Sequence, residues 1–218
     1  MRKIIYAFCT LLCVSTLVMS CSEEEMPDPD YDNWAARNAV YFEEVMNTAK
    51  AAVKEARATY GADWESHCNW RLFRSYLKTQ HATLTINDSI CAYIIERGSG
   101  SGCPVYTDSV LVNYIGRTMP TVSFPEGRVF DHSGVYNDPE QVFNPVFAKP
   151  AALHVANTVE GFTTALQYMH VGDRWKLYIP SNLGYGGASP SDVMPPHSTL
   201  IFDLQLQDYC HAGSNFME

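Results

Sequence analysis

The sequence predicts an α+β domain: an antiparallel β-sheet with one short helix on its dry face, preceded by a separate helical segment. Three observations carry this. The second half holds several stretches in which apolar and polar residues alternate, the period of a half-buried strand. One stretch among them, "EGFTTALQYMHVGD", places Phe162, Leu166 and Met169 at helical spacing. Before them, residues 32–60 repeat apolar side chains every three or four positions. Sheet and helix segregated in this way give an α+β architecture.

The first twenty residues stand apart from the fold. Arg2 and Lys3 precede an apolar run from Ile4 to Met19, and "VMSC" closes it. This is the pattern of a secretory leader, with the charged start, apolar centre and small residue that such leaders carry. The ending is similar to a bacterial lipobox, in which Cys21 becomes the lipidated first residue. Residues 21–31 follow as an acidic, proline-containing tether. Ser22 after the cysteine, by analogy with Gram-negative lipoproteins, predicts the outer membrane of the cell envelope. The acidic run Glu23–Glu25 leaves both its periplasmic side and the cell surface open.

Residues 32–83 form the helical N-terminal segment. Phe42, Val45, Ala49, Val53, Ala56 and Tyr60 make one stripe, and Gly61 supplies a stop. Such a helix packs back on its own domain, holds the domain off the membrane, or forms a dimer; the first reading is preferred. Residues 63–83 mix aromatics and bases without a firm period and read as a short strand or helix joining the two parts.

The folded domain spans residues 84–210, with 211–218 as a tail. "SICAYIIERG" is a strand that runs into the turn "GSGSG". "DSVLVNYIGR" puts Val110, Val112 and Tyr114 on one face. "DRWKLYIP" does the same with Trp175, Leu177 and Ile179, and "TLIFDLQLQD" with Leu200, Phe202, Leu204 and Leu206. In the helical stretch between them, Gly172 is placed to end a helix of about ten residues.

Composition and motif spacing exclude several functions. An apolar fraction of 46% against 18% charged residues describes a globular chain rather than a disordered one. The 15 basic and 24 acidic side chains give a net charge of −9, and removal of Arg2 and Lys3 with the leader makes it two units more negative. That surface argues against nucleic acid, whose phosphates need clustered Lys and Arg. There is no CxxC, HxxxH or HExxH, so a metal or redox centre is not expected. No GxSxG, phosphate loop or GxGxxG appears either. Cys68, Cys91, Cys103 and Cys210 remain outside the leader; Cys91 and Cys103 either close a local loop across the Gly/Ser turn or stay as thiols.

What remains is a set of aromatics at strand ends and turns: Tyr114, Phe130, Phe162, Tyr185 and Phe202. Here the order of motifs becomes specific. "VLVNYIGR", "GRVFDHS", "VEGFTTALQYMHVGDRWKLYIPSNLGYG" and "MPPHSTLIFDLQL" together resemble the FKBP family, the macrolide-binding peptidyl-prolyl isomerases, over roughly residues 85–209. The resemblance implies a twisted antiparallel sheet wrapped around a short central helix. It also implies cis/trans isomerisation of X-Pro bonds without any cofactor. The substrates would be X-Pro-containing polypeptides, here exported proteins, and a macrolide would compete for the same pocket. Carried over position by position, Tyr114 and Phe202 are walls and Phe130 with Asp131 is the Phe-Asp pair. Val159 offers its backbone amide, and Phe162 is the floor. Tyr185 aims its hydroxyl at a substrate carbonyl, and Met194 closes the far wall. Asp131 orients Tyr114 or polarises the site.

The pattern is broken in three places, the first at the floor, where the family often has Trp and this chain has Phe162. "KPAALHV" puts Ala151 where the family often has an aromatic, opening one side of the pocket. The connection from Asp131 to Lys149 is longer than in minimal members and carries Phe143 and Phe147 as candidate replacements. Two rival readings follow: a binding or chaperone module that grips proline-containing or unfolded segments without turnover, and a structural lipoprotein that reuses the fold.

Overall fold

The computed structural model describes residues 30–78, 83, 85–134 and 149–216. The leader, Cys21, most of the tether and the 135–148 connection with Phe143 and Phe147 lie outside the described residues.

The chain opens with helix α1 (Trp34–Tyr60). Its buried residues are Trp34, Asn38, Phe42, Met46, Ala49, Val53 and Ala56, a stripe at three- and four-residue steps. Met46 takes the fully buried place expected for Val45, and Tyr60 is exposed and stacks on His67 at 3.9 Å. Gly61, at φ 58°, ends the helix as expected. A single-turn helix α2 (Trp64–His67) leads into strand β1 (Trp70–Arg74).

β1 belongs to the sheet and precedes the domain boundary expected at residue 84. The other strands are β2 (Ser89–Glu96), β3 (Ser109–Arg117), β4 (Val129–His132), β5 (Ala151–His154), β6 (Arg174–Ile179) and β7 (Leu200–Cys210). Their order is β1-β2-β6-β7-β3-β4, with β5 also on β3, and every pairing is antiparallel. β4 pairs with the end of β3 at Ile115–Arg117 and β5 with its start at Ser109–Val112, so the two share one edge of that strand.

The alternating faces come out as the sequence predicts. Val110, Val112 and Tyr114 join Trp175, Leu177, Ile179, Leu200, Phe202, Leu204 and Leu206 in one core, closed by helix α3 (Glu160–Leu166) through Phe162 and Leu166. α3 has seven residues, not about ten. Gln167 caps it, and the chain then turns through Tyr168–Gly172 to deliver Arg174 to β6. Met169 stays buried beyond the helix end because its N–H still reaches the carbonyls of Ala165 and Leu166.

The opposite face of the sheet is not wet throughout. Along β1, β2 and β6, the side chains of Trp70, Leu72, Cys91 and Tyr178 pack under Phe42, Met46 and Ala49 of α1. The helix thus packs back on its own domain. Polar contacts fix its first turns. The Trp34 indole N–H donates to Ser198 Oγ at 2.9 Å, and the Thr199 N–H donates to Asn38 Oδ1 at 2.7 Å. Cys68, Cys91, Cys103 and Cys210 are all unpaired thiols. Cys91 is fully buried against Met46, and burial pushes its thiol up to about 12.

Candidate functional site

Four elements converge at the mouth of the core. Tyr114 comes from β3, Asp131 from β4, Val159 and Phe162 from the start of α3, and Phe202 from β7. Tyr185 comes from the loop after β6. That loop folds on itself: the Gly186 N–H reaches Ser181 O at 2.8 Å, and the His197 N–H reaches Gly186 O at 2.7 Å. Gly186 sits at φ 57°, a conformation that glycine adopts freely. The glycine-rich run therefore shapes a tight turn that presents the neighbouring tyrosine.

These six residues line a pocket of about 210 Å³. Phe162 forms its floor, 3% exposed. Its ring meets Phe202 at 5.0 Å and Tyr114 at 5.9 Å, both edge-to-face. Tyr114 and Phe202 lie 6.1 Å apart in the same manner. This is the arrangement that aromatic quadrupoles favour, and it leaves ring faces free for an apolar guest.

Two of the residues expected in the pocket, Phe130 of the Phe-Asp pair and Met194 of the far wall, stand behind its lining instead. Phe130 packs on Phe202 at 5.5 Å and 82°, fixing that ring without lining the cavity. Met194 is 1% exposed and belongs to the core beneath the loop. Leu153, Asn157 and Thr158 line the pocket and were not anticipated. Leu153 shares its face of β5 with Ala151 two residues earlier, so alternation alone points to it. It supplies an apolar wall on the side that Ala151 was expected to leave open.

The polar groups are few. The Tyr114 hydroxyl donates to Asp131 Oδ2 at 3.0 Å, and the His132 N–H donates to Asp131 Oδ1 at 2.9 Å. The carboxylate is thus held at both oxygens and holds Tyr114 in turn. Burial first, and then the charge of Asp131, raises the Tyr114 hydroxyl well above the usual tyrosine range. The same two causes raise Tyr185. Both hydroxyls remain protonated donors near neutrality. Among the described residues the Tyr185 hydroxyl has no hydrogen-bond partner, and neither has the Val159 N–H. Two donors on residues that line the aromatic pocket are therefore without a partner among the described residues. No group of three or more His, Cys, Asp or Glu side chains suited to a metal occurs among the described residues. The arrangement fits a neutral, apolar ring flanked by carbonyls.

Comparison with known proteins agrees with this geometry. Residues 101–207 match the family profile of the FKBP-type peptidyl-prolyl cis-trans isomerases. The chain is 33% identical over 136 residues to the macrophage infectivity potentiator of Trypanosoma cruzi, covering 62% of this chain and 61% of that protein. It is 34% identical over 113 residues to the FKBP-type 22 kDa peptidyl-prolyl cis-trans isomerase of Escherichia coli, 52% and 46% of the two chains. The outer membrane protein MIP of Legionella longbeachae is 31% identical over 134 residues, 62% and 50%. The chain thus spans from about half to three-fifths of the length of these relatives.

Proposed function

We propose, for a chain whose residues 101–207 belong to the FKBP-type peptidyl-prolyl cis-trans isomerase family, that it accelerates cis/trans exchange of X-Pro bonds in exported polypeptides. The observation that carries this reading is the pairing of an edge-to-face aromatic cage with two donors, Tyr185 Oη and Val159 N, that have no partner among the described residues. The reaction breaks no covalent bond. Its barrier is rotation about a partly double C–N bond, about 18–20 kcal/mol. A site lowers it by binding the twisted imide better than the planar one. The twisted imide has less charge separation than the planar resonance form, so an apolar cage favours it. Phe162 carries the proline ring, Tyr114 and Phe202 flank it, and Tyr185 and Val159 hold carbonyls on either side. Asp131 serves by fixing Tyr114, not by taking a proton.

The leader-like start and Cys21 support a lipid-anchored location in the cell envelope. One relative is itself titled an outer membrane protein, which supports that location. A macrolide would compete with substrate for the cage.

The test is isomerisation of a short X-Pro peptide by the full chain in detergent, beside Tyr185→Phe. Uncatalysed exchange takes tens to hundreds of seconds, so acceleration is readily measured. Loss of one preorganised donor predicts a fall in kcat/KM of about tenfold or more, with the fold intact. A folded wild type that binds the peptide without speeding its exchange would instead assign the pocket to a non-catalytic binding module.

A further inference from the structure

Beside the proline pocket lies a second cavity of about 350 Å³, and Thr158 lines both. One side of it is α3 and the turn before it, including Ala156 and Thr163. The other side is Tyr76 and Leu77, from the N-terminal segment outside residues 101–207. We propose that this second cavity receives a bulky apolar side chain of the same polypeptide whose proline occupies the first, and so sets which X-Pro sequences are turned over. The inference rests on the isomerase reading above and deepens it.

The N-terminal wall is built, not adventitious. Ser75 is fully buried, its N–H reaches Asp88 O at 3.0 Å, and its hydroxyl donates to Glu160 on α3. Lys78 Nζ lies 4.0 Å from the same carboxylate. Tyr76 stacks on Tyr168 at 5.2 Å, and Tyr168 on Phe73 of β1 at 4.2 Å. The turn is therefore clamped to the helix that carries the pocket floor. From this clamped turn Leu77 stands 64% exposed, and across the cavity Tyr106 is 50% exposed. Large apolar groups held at fixed positions around a concavity mark a binding surface, unlike single apolar residues scattered on a convex one.

Size and charge narrow the occupant. The proline pocket alone, at about 210 Å³, is smaller than the roughly 300–1,000 Å³ of ordinary ligand sites, and the adjoining cavity brings the pair into that range. An extended peptide advances about 3.3 Å per residue, so a side chain within a few positions of the proline spans the shared wall at Thr158. Glu160 and Lys78 offset each other, leaving no net charge to draw an acidic or basic side chain. The remaining lining is hydroxyls, an amide and apolar surface, which suits Leu, Met or Phe.

The experiment compares the full chain in detergent with Leu77→Ser, using Val122→Ser, at a position 91% exposed and outside the cavity, as control. Two substrates are used: an X-Pro tetrapeptide, and an octapeptide series with one Phe scanned through the positions flanking proline. The expected result is a best Phe position at which wild type gains about tenfold in kcat/KM over the tetrapeptide, the size of effect one buried apolar side chain gives. Leu77→Ser removes that gain and leaves tetrapeptide turnover within about twofold. Equal turnover across the series, or equal loss on both substrates, overturns the inference. If wild type isomerises neither substrate, the isomerase reading fails by itself. The cavity is then judged by peptide affinity: Phe-dependent tightening abolished in Leu77→Ser supports it, and identical affinities overturn it.

Discussion

Gly116 lies directly behind the aromatic cage. It follows Tyr114 on the same face of β3 and pairs with both Phe202 and Asp131. A Cβ there would lie 2.6 Å from Phe202 Cε1 and 2.8 Å from Phe130 Cζ. Ordinary carbon–carbon contacts begin near 3.5 Å, so Gly116→Ala forces the two rings back by roughly 1 Å. Neither ring is free to yield, because Phe130 packs on Phe202 and Phe202 packs on Phe162 and Tyr114. Overpacking of this kind costs about 1–3 kcal/mol. In a chain of this size each kcal/mol lowers Tm by about 2–4 °C. The catalytic loss should be larger in proportion, since a 1 Å misplacement of positioning groups costs about 100-fold in rate. The assay is kcat/KM on an X-Pro tetrapeptide, measured well below the variant's own Tm. Wild-type turnover in a variant whose Tm has fallen would refute the reasoning, because the rings would then have moved without consequence.

Two further outcomes follow from the polar groups. Burial and Asp131 keep Tyr114 and Tyr185 protonated beyond the ordinary tyrosine value of about 10. kcat/KM should thus stay flat from about pH 6 to about pH 9.5, and the stability held by the neutral hydroxyls is complete below the unfolded value and lost as pH rises through the folded ones; an alkaline limb centred below pH 10 that disappears in Tyr185→Phe would contradict this. Asn38→Ala strips the buried Thr199 N–H of its acceptor. It should destabilise by about 1–3 kcal/mol, read as the shift in urea midpoint at constant slope.

Most of the core was legible because one-sided burial leaves a periodic trace. β3, β6 and β7 each show a two-residue alternation, and the alternating apolar positions Val110, Val112 and Tyr114, Trp175, Leu177 and Ile179, and Leu200, Phe202, Leu204 and Leu206 reach the core around α3. β1 was not legible for the converse reason. Phe73 packs toward that core while Trp70 and Leu72 pack under α1, so both faces are apolar and no alternation survives. The site divides the same way. Tyr114, Asp131, Val159, Phe162, Tyr185 and Phe202 sit in motifs whose residue types carry the chemistry, and they converge. Asn157 and Thr158 line the pocket because the turn before α3 passes there, and nothing in their residue type announces it. Met194 was placed in the wall from motif position, but the loop folds over it. Ser189 Oγ donates to its carbonyl at 2.7 Å, and the side chain turns into the core.

The N-terminal helix is also part of how the site is held. Tyr185 rides on a loop whose first turn is tied to its far end by the His197 N–H on Gly186 O. The next residue, Ser198, accepts the Trp34 indole N–H and itself donates to Pro195 O at 2.6 Å. Thr199, one residue on, gives its N–H to Asn38 and its hydroxyl to the Asn38 carbonyl. Three consecutive residues thus join the Tyr185 turn, the proline pair and α1. The loop between Tyr185 and the last strand holds its own shape through internal bonds, but its three prolines donate none, so its placement on the domain depends on what its end is bonded to. The helix supplies those bonds at the point where the loop becomes β7, the strand that carries Phe202. A segment outside the family match therefore acts on two walls of the pocket at once, through Tyr185 on one side and Phe202 on the other.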